Sequence, residues 1–501
     1  MANPYVFEFS SLTGGVDGSL DSHNTTSLPD ESHAKVDTGS IVYFYVFNSS
    51  SSATEKSPEI IAPDAGTGRW LLSSSISKND VKQNLLTNPG FGLCTNSTLE
   101  NVPGTSELIV EFANSGTVPY DTFNVSGTSI TSAIISSGSA SGYDYFASPL
   151  TEGKLYRLIV NVTKTGVQYP TVKIDDETTE SLNHTTKGGE ETLVFRALTD
   201  CTRIFISNTD ATNYSATFSL YEVTPGYVTG TKGPDGWGKN TALKLYREHS
   251  GINTKDGSFY SLRCVKGDDA ITEQLISFRY IRDDIDFYTK FLGRTVCYGI
   301  FIKTAHSNLA KVTIQDGVCM SSSDYHTGGG GWEWFEVPKT ISESATAVTL
   351  TIQFVEGGGL GNEAFVSQPM FMFGSVIGEG NYSQPVGEII WCNAENIALT
   401  NYVHASVSTD VWIDIESETD GKVPKGFNAL NINVSAICSD VGASYRFLLG
   451  QYDLSLYSQV AALRNSTSGM VRDSNHNGKI LLTTQETFTG VTIRITGVQV
   501  S

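Results

Sequence analysis

Apolar side chains recur at every second position along most of this chain. Tyr156, Leu158, Val160 and Val162 share a parity, and Val348, Leu350, Ile352 and Phe354 alternate with Thr349, Thr351 and Gln353. Val411, Ile413 and Ile415 alternate with Trp412, Asp414 and Glu416; Leu430, Ile432 and Val434 alternate with asparagines and Ser435; Val491, Ile493 and Ile495 lie near the end. A period of two places these residues on one face of a strand. Gly/Ser/Asn/Asp clusters separate the runs at the ~8–12-residue spacing of β-sandwiches. Helical spacing is confined to Ile76–Leu86, Arg282–Leu292 and Ser455–Leu463, each too short to organise a domain. The predicted class is all-β and multidomain.

Boundaries follow from turn-rich stretches and one internal echo. Residues 1–75 form a small N-terminal β-domain closed by Gly66-Thr67-Gly68-Arg69-Trp70, and 76–86 form a connector with a short helix. Leu86-Thr87-Asn88-Pro89-Gly90-Phe91 is echoed by Val223-Thr224-Pro225-Gly226-Tyr227 with Gly233-Pro234-Asp235-Gly236-Trp237. Each echo opens seven or eight strands' worth of sequence, which predicts two tandem sandwiches over 87–223 and 224–378. They close on Phe218–Tyr221 and Met370–Phe373, and a Gly-rich stretch leads to a C-terminal β-domain over 379–501.

Composition narrows the function. At 501 residues the chain has room for three or four domains. Its net charge is −20, and both ends and the middle are each acidic, so no basic face for a phosphate backbone is expected. The first residues show no basic segment followed by an apolar one, and no apolar run reaches the ~18 residues of a spanning helix, so neither a secretory signal nor membrane insertion is expected. The seven scattered cysteines lack any C-x-x-C pair and read as buried free thiols of a protein made in a reducing cytosol.

The Asn88–Phe91 and Gly233–Trp237 motifs, each with a closing apolar strand, resemble jelly rolls of the carbohydrate-binding-module type, which are common in bacteriophage tail fibres and receptor-binding proteins. Residues 57–72 are similar to a segment near the N-termini of such proteins, and Val423–Phe427 with Ala429–Val434 to the end domains of phage fibres. The resemblance implies a non-enzymatic virion protein assembled in the bacterial host cytoplasm. Its N-terminal domain would attach to other virion proteins of tail, baseplate or capsid, its sandwiches would meet a host cell-surface glycan, and it would be a homotrimer. The alternatives are a capsid decoration or head fibre, and a polysaccharide depolymerase.

Sugar recognition in such modules uses aromatic faces flanked by amides and carboxylates. The candidates are Trp237 in its turn, Trp332 and Trp334, which would share a strand face with Glu336, and Tyr143 with Tyr145 near Phe146. The competing role for these rings is to plug the sandwich core or seal subunit contacts. No cofactor is implied. The resemblance is compatible with a structural calcium ion, but Asp473–Lys479 lacks the acid at the twelfth loop position (Thr484) and reads as an Asn477-Gly478 turn. Adjacent acids such as Asp268/Asp269, Asp283/Asp284 and Glu190/Glu191 point to opposite faces of a strand, and no catalytic motif accompanies them.

Overall fold

The computed structural model describes residues 6–500 apart from 15–17, 39–40, 78–82, 110–114, 119, 137, 167, 209–210, 269–271, 273, 278–286, 356–358, 386–388, 393, 395–396, 404, 439–446, 450–463, 474–477 and 485–486. The chain is all-β and forms two compact units, one of residues 1–84 with 377–383, the other of 85–376 with 384–501. Residues 379–383, expected in the C-terminal domain, therefore belong to the first unit.

The first unit is one sheet in the order Val6–Phe9, His33–Asp37, Ile41–Asn48, Arg69–Ser77, Ile60–Ile61. Its core gathers Leu20, Val36, Tyr45, Phe47, Ile61 and Trp70, with the Phe47 and Trp70 rings 5.1 Å apart. Ile76 and Ser77, expected to open a connector helix, instead finish the strand Arg69–Ser77. Of the other two expected helices, the first contains a 3-10 turn, Phe287–Phe291, and Ser455–Leu463 lies outside the described residues.

In the second unit the first sandwich packs two sheets. One runs Glu180–Thr185, Thr171–Asp175, Cys201–Asn208, Ala140–Leu150, Ser115–Val118; the other includes Gly189–Arg196, Leu155–Gly166 and Thr212–Tyr227. The period-two positions Leu158, Val160, Phe218 and Leu220 meet Val172, Ile174, Ile204 and Ile206 between them. The second sandwich pairs the sheet Leu243–Glu248, Ser261–Lys266, Glu363–Phe373, Thr295–Lys303, Trp332–Thr340 with the sheet Trp237–Lys239, Gln274–Ser277, Thr349–Phe354, Ala310–Gln315, Met320–Ser322.

The expected boundary at 223/224 falls inside a single strand. Thr212–Tyr227 pairs with Leu155–Gly166 as far as Val223 and then, along the same edge, with Leu243–Glu248 at Gly226 and Tyr227. The echoed motifs are likewise two halves of one buried knot. Asn88, at φ 50°, donates through Nδ2 to the carbonyls of Leu93 (2.9 Å) and Asp235 (3.1 Å). The Asp235 carboxylate accepts from Thr95 N and Thr95 Oγ1, both at 2.7 Å. Asn tolerates the left-handed conformation because its short side chain bonds locally.

The C-terminal domain sets the sheet Ile389–Trp391, Phe488–Val500, Phe427–Cys438, Arg464–Arg472 over the smaller sheet Val411–Asp414, Lys479–Thr484, Phe447–Leu449. The expected strand through Ile415 stops at Asp414, whose Oδ1 accepts from Ser417 N (3.1 Å) and caps a one-turn helix, Ile415–Glu418. That turn carries Glu416 into a buried junction with both sandwiches. Glu416 Oε1 accepts from Arg247 Nη2 (2.8 Å) and the Tyr260 hydroxyl (3.1 Å), and its Oε2 from Arg196 Nη1 (3.3 Å). Arg196 also pairs with Asp414, and Arg247 Nη1 donates to the carbonyls of Gly421 (2.7 Å) and Gly92 (3.2 Å). Side-chain exposures of 3%, 2% and 4% for Arg196, Arg247 and Glu416 place this network out of water.

Candidate carbohydrate-binding surfaces

Trp237 offers no open face to a sugar. It is 5% exposed, its ring lies 4.9 Å from that of Phe91, and its indole N–H donates to Thr87 O (3.2 Å). The Gly-Pro-Asp-Gly turn delivers the ring into the knot, so its part is packing.

Trp332 and Trp334 stand on the edge strand of the second sandwich and share an outward face with Glu336, because Phe335 and Val337 take the core side. Trp334 donates to Glu336 Oε2 (3.0 Å) and packs on the buried ring of Phe301 at 4.9 Å. Residues 250–258 cover the neighbouring part of this face. Lys255 Nζ sits 4.8 Å from the Phe301 ring, Gln368 Nε2 holds Asp256 O (2.8 Å), and Lys303 Nζ holds Ile252 O (2.6 Å). Both indoles stay half-buried.

The Tyr143/Tyr145 pair is the open one. Both project from Ala140–Leu150 on the solvent face of the five-stranded sheet, since Ile204 and Ile206 of the neighbouring strand take the core face. Tyr145 is 50% exposed and meets Tyr143 edge-on at 5.3 Å. In register across the sheet, Tyr143 faces Phe205, which faces Lys173, and Lys173 faces Asn183. The next row is Tyr145, Arg203, Asp175, Glu180. Arg203 lies 5.5 Å over the Tyr143 ring, pairs with Asp175 (2.6 Å) and reaches Glu177 (3.5 Å), while the Tyr145 hydroxyl donates to Glu177 (2.8 Å). The Asp175 bond raises the Arg203 pKa further, and the Glu177 bond raises that of the Tyr145 phenol. Backbone and side-chain donors from Thr178 and Thr179 hold Asp176 far below the usual carboxylate range. Three acids, Asp175, Glu177 and Glu180, thus pair with the two cations, Arg203 and Lys173, on this face. A half-open aromatic pair rimmed by fixed hydrogen-bonding groups can stack a pyranose and bond its hydroxyls.

The remaining features do less. A cavity of about 80 Å³ beside the junction, lined in part by Pro89, Phe259, Tyr260 and Pro424, is well short of the ~300–1,000 Å³ of small-molecule sites. Gly478, at φ 76°, donates through its N to Asp473 Oδ2 (2.7 Å); the flanking strands Arg464–Arg472 and Lys479–Thr484 belong to different sheets and so are not a hairpin, and residues 474–477 lie outside the described residues. Among the described residues no three His, Cys, Asp or Glu are gathered as metal ligands. Asp283/Asp284 also lie outside the described residues. Cys94, Cys201, Cys264 and Cys297 are buried as expected, whereas Cys319 is exposed with Lys339 Nζ 3.0 Å from its sulfur. Two exposed indoles escaped the sequence reading, Trp391 (60%) and Trp412 (53%), both in strands of three or four residues.

No protein-family model matches the chain, and no curated protein matches its sequence. Among solved structures, the arabinose-bound α-L-arabinofuranosidase MgGH51 aligns at 11% identity and a TM-score of 0.23, over 30% of this chain and only 25% of that one. The tandem CBM22 domains of Paenibacillus barcinonensis Xyn10C align at 9% identity and 0.20, over 59% and 99%. The Sulfolobus turreted icosahedral virus structure aligns at 9% and 0.14, over 79% and 91%. At such TM-scores these likenesses carry no argument about what the chain does.

Proposed function

We propose that this chain is a structural protein of a bacteriophage particle, a tail-fibre or receptor-binding subunit without catalytic activity. Its N-terminal unit docks on other virion proteins, it assembles as a homotrimer, and its sandwiches meet a host cell-surface glycan. The observation that carries the binding role is the Tyr143/Tyr145 face, where two rings stand open in register with Arg203, Lys173 and Asn183. The particle assignment rests on the resemblance of the Asn88–Phe91 and Gly233–Trp237 motifs to phage modules. Repetition of weak sites on one particle supplies avidity, so a single shallow platform suffices.

Full-length protein titrated with polysaccharide from the host surface tests the binding role. Burying roughly 100 Å² of ring at ~25 cal/mol per Å² is worth about 2.5 kcal/mol, so Tyr145→Ala should weaken binding by about 10–70-fold. Wild-type protein that binds neither host cells nor their polysaccharide refutes it. Antibody labelling of particles tests the rest: label on the tail supports the assignment, label over the capsid replaces it with decoration, and no label removes the virion reading.

A further inference from the structure

The C-terminal domain carries a second aromatic platform with different electrostatics. Trp391 pairs with Gly497, Gly497 with Asn431, and Asn431 with Met470, so the four form one row across the sheet. Ile390, Leu430, Ile432 and Val471 fill the core beneath, which puts the row on the outer face. Gly497 is what lets the indole lie against the sheet. A Cβ there would stand 3.1 Å from Trp391 Cε3 and 3.3 Å from Cζ3, closer than side chains ordinarily pack. The ring is thus seated on the backbone on one side while remaining 60% exposed.

Ile389 shares this outward face, its Cγ2 3.0 Å from where a Gly497 Cβ would stand, and the other positions around the indole are mostly polar. Gln499 lies two residues beyond Gly497, exposed Arg494 three residues before it, and Asn433 pairs with Arg494. No Asp or Glu occupies a described outward position of Ile389–Trp391, Phe427–Cys438, Arg464–Arg472 or Phe488–Val500. In a chain of net charge −20 this face is cationic, opposite in sign to the acid-rimmed Tyr143/Tyr145 face.

We propose that this face binds a carboxylate-bearing pyranoside, stacked on Trp391 with its acid directed to Arg494. A bulge between Gly497 and Ile495 sets Gly497 and Arg494 opposite Asn431 and Asn433, so at about 3.4 Å per residue the two side chains start some 7 Å apart along the strand, a gap that a sugar ring and its carboxylate bridge. The area argues against a second copy of the chain. The indole exposes about 150 Å², and Met470 and the half-buried Ile389 add two further apolar side chains, against the ~800 Å² per partner of a stable interface. Asn431, Asn433 and Gln499 supply amides suited to hydroxyls.

The test titrates full-length protein with oligogalacturonate and with neutral galactan oligomers, followed by calorimetry and tryptophan fluorescence. Oligogalacturonate should bind more tightly and shift the emission. Trp391→Ala should weaken it by about tenfold or more, Trp391→Phe should restore part of the affinity, and Arg494→Gln should erase the preference over the neutral oligomer. Trp412→Ala, at the other exposed indole of this domain, should leave this binding unchanged, which ties the loss and the emission shift to Trp391. Equal affinity of Trp391→Ala and wild type, equal binding of both oligomers by wild type, or binding of neither overturns the proposal. So does a Trp391→Ala protein whose sole change is a smaller oligomer in sedimentation, because the face would then be a self-interface.

Discussion

Replacing Glu416 tests whether the buried charges join the three modules of the second unit. In the Glu416→Leu protein, Arg196 keeps Asp414, but Arg247 is left with the carbonyls of Gly92 and Gly421 and no counter-charge. Removing one partner of a buried pair costs about 3–5 kcal/mol, most of it the desolvated charge left behind. Against a typical total of ~5–15 kcal/mol that is a large share. At ~2–4 °C per kcal/mol for a large domain, the unfolding midpoint should fall by about 6–20 °C, read by calorimetry or near-ultraviolet circular dichroism. The companion variant is Glu416→Leu with Arg247→Met. Removing the stranded guanidinium together with its partner should recover a large part of the loss, since a well-packed apolar pair is often neutral against a buried ion pair. A single variant that melts within ~2 °C of wild type, or a double variant no better than the single, refutes the reasoning.

Three further outcomes follow from the same structure. Trp237→Ala should lower stability by about 3–5 kcal/mol in denaturant unfolding while leaving saccharide affinity intact, because the ring is a core plug in the Asn88–Asp235 knot. His249 is pushed down to about 4, chiefly by burial and then by Arg247 and Lys154, so the folded protein holds it neutral where the unfolded chain, at about 6.5, takes up a proton. Stability should therefore fall by about 3 kcal/mol as pH drops from ~6.5 to ~4, and His249→Gln should flatten that limb of a pH–stability curve. Among the six cysteines with described side chains, Cys319 should react first with an aromatic disulfide reagent and Cys319→Ser should remove that fast phase, whereas Cys94, whose thiol burial pushes up to about 12, should react only on unfolding.

The alternating strands were legible because each buries one face, unlike Thr295–Lys303 and Glu363–Phe373, which are buried on both. Tyr156–Val162 and Leu430–Val434 announce themselves by parity alone, and the shared face of Trp332, Trp334 and Glu336 follows from the same rule. Parity does not say which face is inner, so Trp237 and Tyr145 looked alike although one is sealed and the other open. Pro225-Gly226 read as a break, yet pairing on both sides carries the strand through to Tyr227. The three-residue strand Ile389–Trp391 is too short for any period to show, and its glycine seat lies 106 positions downstream at Gly497. Contacts of that kind are set by tertiary pairing and leave no local trace.

The unbroken strand Thr212–Tyr227 has a consequence for how this protein can change over generations. Modules joined by a linker can be shuffled between genes by recombination in the gap. Here a crossover at 223/224 would sever a strand in mid-ladder, leaving Thr224, Pro225 and Gly226 without the neighbours they pair with on Thr98–Asn101. Any junction between Thr212 and Tyr227 meets the same obstacle. The two sandwiches are therefore inherited together, and change comes to them by substitution on their open faces rather than by exchange of one half.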